Sequence, residues 1–111
     1  MDARERRLAK NEIMFRDLNE RVARIAATHS DSDTDGHVYE FLCECSNADC
    51  NVRVPLTLPA YDVVRADRTQ FVVAPGHDLP EIEDVVVRAI DYQIVRKRGD
   101  AARLATRTDP S

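Results

Sequence analysis

Tryptophan is absent, and the remaining aromatics are three phenylalanines and three tyrosines. A chain of 111 residues with so few large apolar side chains builds one small domain plus an extension, around a modest core. A structural metal would add much to such a core, because its binding free energy becomes folding free energy. No run approaches the roughly 18 consecutive apolar residues of a membrane span. The stretch Met1 to Arg7 is charged and lacks the apolar centre of a secretory signal. The expected location is therefore cytoplasmic, where thiols stay reduced. Cysteine is scarce and odd in number, at three, which fits poorly with a disulfide framework. The three glycines, Gly36, Gly76 and Gly99, form no phosphate-binding loop, and Ser30 and Ser46 have no evident His/Asp relay. No enzymatic activity is expected. Lysine occurs only at Lys10 and Lys97, and arginine supplies the other cations. With many Ala, Asp and Val, this suggests a bacterial genome of high GC content.

What the chain does have is Phe41-Leu42-Cys43-Glu44-Cys45-Ser46-Asn47-Ala48-Asp49-Cys50, which holds all three cysteines as C-x-C-x4-C. In an extended segment, side chains at i and i+2 leave the same face, so Cys43 and Cys45 can aim at one point while Glu44 points away. The turn formers of Ser46-Asn47-Ala48-Asp49 can fold Cys50 back towards them. Three converging thiolates fit a tetrahedral metal and leave one ligand to be supplied. His77, in the turn-like run Ala74-Pro75-Gly76-His77-Asp78, ranks first. His37 follows, roughly 20 Å from Cys43 along a regular strand, with His29 and Asp49 behind. Soft thiolates favour zinc over magnesium or calcium, and an iron–sulfur cluster normally requires four cysteines. The expected site is Cys43, Cys45, Cys50 and His77 holding Zn2+; the competing reading is three reduced, partly buried structural cysteines.

Around this motif the pattern predicts an α+β fold: a long N-terminal helix, then a small mostly antiparallel sheet with one or two short helices, stapled by zinc. Residues 1–28 form the helical segment, with helix over 3–27. Leu8, Asn11, Phe15, Leu18, Val22 and Ile25 make a heptad-like stripe, and Ile13 and Met14 widen its apolar face. Such a helix either packs on its own domain or engages a protein partner or a second copy. Residues 29–36 read as a polar linker. Its Asp31, Asp33, Asp35 and Gly36 superficially resemble a calcium loop but lack the required Glu and flanking helices.

The zinc-binding domain spans 37–99. Strands are expected over 37–45 and 51–56 as a hairpin, with Tyr39, Phe41, Cys43 and Cys45 on one face. Thr57 suits an N-cap and Pro59 the first turn of a helix to about Ala66. A strand over 70–74 leads to the turn before His77. Residues 83–88 and 92–97 close a hairpin. Residues 100–111 hold a short helix and a tail.

Charge is unevenly distributed. Residues 28–91 carry thirteen acids against four bases, whereas 1–27 and 92–111 are net basic. The acidic middle should repel a phosphate backbone. A nucleic-acid-associated, transcription-related factor using Arg4, Arg6, Arg7, Lys10, Arg96, Lys97, Arg98 and Arg103 is the secondary reading. A redox-responsive zinc switch is the third, since clustered thiolates can be oxidised.

The C-x-C-x4-C spacing is similar to the zinc-binding segment that follows the catalytic domain of SET-type methyltransferases, which likewise takes a fourth ligand from elsewhere. The match covers eight residues. More broadly, the charged N-terminal helix, Phe41-x-Cys43-Glu44-Cys45-x4-Cys50, Thr57-Leu58-x-x-Tyr61 and Phe71-x-Val73-x-Pro75-Gly76-His77 together resemble a family of small uncharacterised bacterial proteins over most of residues 4–98. The resemblance implies that the Cys and His positions form one unit, and it supplies no activity. The function expected is that of a non-enzymatic, zinc-finger-like protein-interaction or regulatory module.

Overall fold

A computed structural model describes residues 2–29 and 36–107. The aspartates of the linker, the tail from 108 and the side chain of His29 lie outside the described residues. The order is α1 (Ala3–His29), β1 (Val38–Leu42), β2 (Arg53–Thr57), α2 (Leu58–Arg65), β3 (Gln70–Val73), β4 (Glu83–Arg88), β5 (Gln93–Lys97) and α3 (Gly99–Arg107). The fold is α+β, with a long first helix, antiparallel strands and short helices.

The strands form two sheets rather than one. β1 and β2 pair antiparallel, with Phe41 opposite Val54. The second sheet has the order β3-β5-β4, also antiparallel, with a bulge between Val85 and Val87. The division occurs at the cysteines. Residues 43–45 leave the β1 strand while the Cys43 amide still bonds to the Val52 carbonyl. They then close the free edge of β3: the Glu44 amide donates to the Val72 carbonyl at 2.8 Å, and the Val72 amide donates to Glu44 Oε1 at 3.0 Å. The cysteine segment is thus the joint between the sheets.

Local chemistry accounts for α2. Thr57 has an extended backbone, and its hydroxyl accepts from the Ala60 amide at 3.2 Å, with Pro59 in the first turn. The core joins both sheets to α2. Phe41 stacks on Tyr61 with centroids 4.4 Å apart, and Val54, Phe71, Val72, Val73 and Val95 are fully buried. Each such side chain contributes roughly 1.5–3 kcal/mol by leaving water.

The docking of α1 departs from the apolar-stripe expectation. Met14, Leu18, Val22 and Ile25 are 45%, 39%, 42% and 60% exposed, while Glu12, Arg16 and Asn19 are completely buried. Of the expected stripe, Phe15 is buried and Leu8 and Asn11 are half-buried. The face turned inward runs Ala9, Glu12, Arg16, Asn19, Ala23, itself spaced three, four, three, four. It docks because the body supplies complementary groups. Lys97 Nζ pairs with both Glu12 and Glu83. Arg16 donates to the carbonyls of Arg68 and Ala105, and Arg68 pairs with Glu20 at 2.5 Å. Arg16, Arg65 and Lys97 all lie within 5.1–5.5 Å of the Phe71 ring centre, so one buried aromatic ring serves three cations. No helix among the described residues is long and apolar enough to cross a membrane.

Candidate metal centre

The first two cysteines converge because they flank one residue of extended chain. Cys43 and Cys45 are buried, and the intervening Glu44 turns its side chain elsewhere. The third arrives through a turn: the Asp49 amide donates to Asn47 Oδ1 at 2.9 Å and the Cys50 amide to the Asn47 carbonyl at 3.0 Å. Asn47 therefore organises the loop with both its side chain and its backbone. Helix α1 supports it from outside, where Asn11 Nδ2 donates to the Ser46 carbonyl at 2.8 Å.

His77 comes from the turn after β3, the edge strand of the second sheet that the cysteine segment closes. Its amide donates to the Ala74 carbonyl at 3.0 Å, closing a four-residue turn with Pro75 and Gly76 at the centre. Gly76 has φ +82°. Proline at the second position and a positive-φ glycine at the third make a type II turn. The same Ala74 donates its own N–H to the Cys43 sulfur at 3.1 Å. One residue thereby anchors the thiolate and starts the turn that brings the imidazole to it.

The Cys43, Cys45 and Cys50 sulfurs and one His77 nitrogen all lie within 4.8 Å of one another. His77 Nδ1 is 3.5 Å from the Cys43 sulfur and 3.7 Å from that of Cys50. A tetrahedral ion with metal–sulfur bonds of about 2.3 Å and a metal–nitrogen bond of about 2.0–2.1 Å requires sulfur–nitrogen edges of about 3.6 Å. Two of the three sulfur–nitrogen edges stand at that spacing. Two are buried and two half-buried, so the cluster lies at the edge of the core. Of the other ranked ligands, His37 is exposed and packs edge-on against Tyr39 at 4.4 Å, and Asp49 is exposed. Neither belongs to the group.

The electrostatics favour a bound cation. The Cys45 thiol is pulled down to about 5, foremost by the hydrogen bond from Cys43, against the effect of burial. That bond and burial push the Cys43 thiol upward, although the Ala74 amide favours its thiolate. The pair therefore favours sharing a proton, with negative charge on Cys45 rather than on Cys43. An ion would replace the shared protons as the means of holding the sulfurs together.

Behind the cysteines lies a group that sequence reasoning did not assemble. The carboxylate of Glu44 is fully buried. Besides the Val72 amide, it accepts from Tyr61 OH at 2.7 Å and Asn19 Nδ2 at 2.8 Å, with Arg65 3.6 Å away. The negative carboxylate and burial push the Tyr61 hydroxyl well above its ordinary range, burial most of all. Asn19 also pairs with the backbone of Leu42, accepting from its amide at 2.8 Å and donating to its carbonyl at 2.9 Å. The available signal was the second stripe on α1, polar residues at heptad spacing between Ala9 and Ala23. Comparison with protein-family models, curated proteins and solved structures gives no match.

Proposed function

We propose that this chain is a small zinc-binding protein whose Cys3His centre is structural, and that it works as a protein-interaction or regulatory module rather than an enzyme. The observation that carries the reading is the convergence of Cys43, Cys45, Cys50 and His77 within 4.8 Å of one another, with two sulfur–nitrogen edges at tetrahedral length. Zinc is the favoured ion because three thiolates and one imidazole form a soft, tetrahedral donor set. Four protein ligands leave no open position for substrate or water, which is the arrangement of structural rather than catalytic zinc.

The interaction role draws on α1. Its outward stripe of Met14, Leu18, Val22 and Ile25 gives a protein partner or a second copy an apolar strip. The nucleic-acid reading is weaker. Arg4, Arg96, Lys97, Arg98 and Arg103 each pair with a carboxylate of the chain itself, and such cations have less to gain from phosphate.

Metal analysis of natively purified protein tests the central claim. About one equivalent of zinc is expected, and chelator should lower the melting temperature. At a free zinc concentration a hundred times its dissociation constant, the folded state should gain about 2.7 kcal/mol. Less than about half an equivalent, with the fold unchanged in chelator, overturns it.

A further inference from the structure

Helix α1 packs on the body through Ala9, Ile13 and Phe15 and through a row of buried polar groups, one of which, Asn19, touches the metal-binding segment. We propose that occupancy of the Cys3His centre controls the docking of α1 through a two-residue latch, Asn19 and Glu44. This deepens the zinc reading and rests on it.

Glu44 stands between two of the candidate ligands. When Cys43 and Cys45 both bind one ion, the backbone of 43–45 is pinned, and alternation along extended chain sends the Glu44 side chain to the opposite side. There its carboxylate meets Asn19 Nδ2 at 2.8 Å. Asn19 divides its amide group between Glu44 and Leu42. Nδ2 donates to Glu44 Oε2 and to the Leu42 carbonyl, while Oδ1 accepts from the Leu42 amide. The helix thus grips the residues immediately before and between the first two ligands. A second grip, Asn11 on the Ser46 carbonyl, holds the loop leading to Cys50.

Much of the rest of the α1 interface is ionic: Glu12 with Lys97, Glu20 with Arg68, and Arg16 on backbone carbonyls. Buried charges stabilise docking only while every partner is in place, because an ion left unpaired away from water is costly. The interface therefore responds to loss of position rather than yielding gradually. Without the ion, residues 43–45 are tied only by hydrogen bonds, and the Glu44 carboxylate is held by Asn19, Tyr61 and the Val72 amide alone. By linkage the effect is reciprocal: the factor by which the bound ion favours docked α1 is the factor by which docked α1 favours the ion. Asn19 and Glu44 are positioning residues; neither touches the ion.

The test uses the full chain and zinc itself. Hydrogen–deuterium exchange is measured for peptides of α1 and of β3 and β5, with zinc bound and after chelation. Amides of residues 11–25 should exchange about tenfold faster or more without zinc, while β3 and β5 stay protected. In parallel, Asn19→Ala should weaken zinc about tenfold in competition with a chromophoric chelator, while its cobalt(II) complex keeps the tetrahedral thiolate spectrum of the parent. Equal α1 exchange with and without zinc overturns the latch while leaving the zinc site standing. So does unchanged zinc affinity in a folded Asn19→Ala protein. Loss of protection throughout the chain on chelation also overturns it, reducing the metal to a general staple. Should Asn19→Ala not fold, the exchange comparison on the parent chain decides alone. Failure of the zinc reading shows separately, as no zinc uptake by the parent chain.

Discussion

The Nδ1 nitrogen of His77 lies 3.5 Å from the sulfur of Cys43, a residue 34 positions earlier in the chain. Two unrelated local devices produce that approach, an extended C-x-C segment and a type II turn, joined by the Ala74 amide bond to sulfur. His77→Ala removes one of four ligands. Zinc affinity should fall by about a hundredfold or more, since even loss of groups behind a ligand costs about ten- to a hundredfold. His37→Ala should leave affinity unchanged. Competition titration with a chelator checks both, and equal effects would remove His77 from the site.

Gly76 is the position on which that turn depends. A Cβ there would meet no atom within 4 Å, yet φ is +82°, so substitution by alanine costs backbone strain rather than a clash. Gly76→Ala should destabilise by about 1 kcal/mol or more and weaken zinc binding with it, because the imidazole is displaced. Thermal melts of the zinc-loaded and chelated forms check this. A variant as stable as the parent, binding zinc as tightly, would refute it.

Glu44 faces donors on three sides, from Asn19, Tyr61 and the Val72 amide. Glutamine has the same shape but puts an NH2 where an oxygen accepts, setting donor against donor. Glu44→Gln should cost about 1–3 kcal/mol, and Glu44→Ala more, by leaving these groups unsatisfied away from water. The measurement is a urea unfolding midpoint. A Glu44→Gln protein as stable as the parent would overturn this expectation.

Glu12 should make stability depend on pH. Burial holds its carboxyl well above the ordinary 4.5, with Glu83 adding to the effect and Lys97 opposing it. The folded chain therefore holds this proton to higher pH than the unfolded chain, which releases it near that ordinary value. Stability contributed by the neutral form is present below the unfolded value and is lost as pH rises through the folded one. Glu12→Gln keeps the group neutral, so the variant should gain on the parent as pH rises from about 5 to about 8. Lys97 retains Glu83 as its partner in that variant. Parallel stability profiles across this range would disprove the displacement.

Much of the candidate site was legible because its devices are local. The i, i+2 rule aims Cys43 and Cys45 together, turn formers return Cys50, and Pro75-Gly76 dictates the bend that presents His77. The cap at Thr57 and the start of α2 are local in the same sense. Each depends on backbone geometry within a few residues, so the amino-acid order determined it.

Only the tertiary structure decided which face of α1 turns inward and what Glu44 does. Both stripes of the helix have heptad spacing, and apolar content alone favours the one whose later members, Leu18, Val22 and Ile25, remain exposed. The choice fell to the polar stripe because Lys97, Arg68, Leu42 and Glu44 offer partners to Glu12, Glu20 and Asn19. Those partners lie 23 or more residues away in sequence. A buried charge is unfavourable alone and acceptable once matched, so its place depends on where distant groups meet.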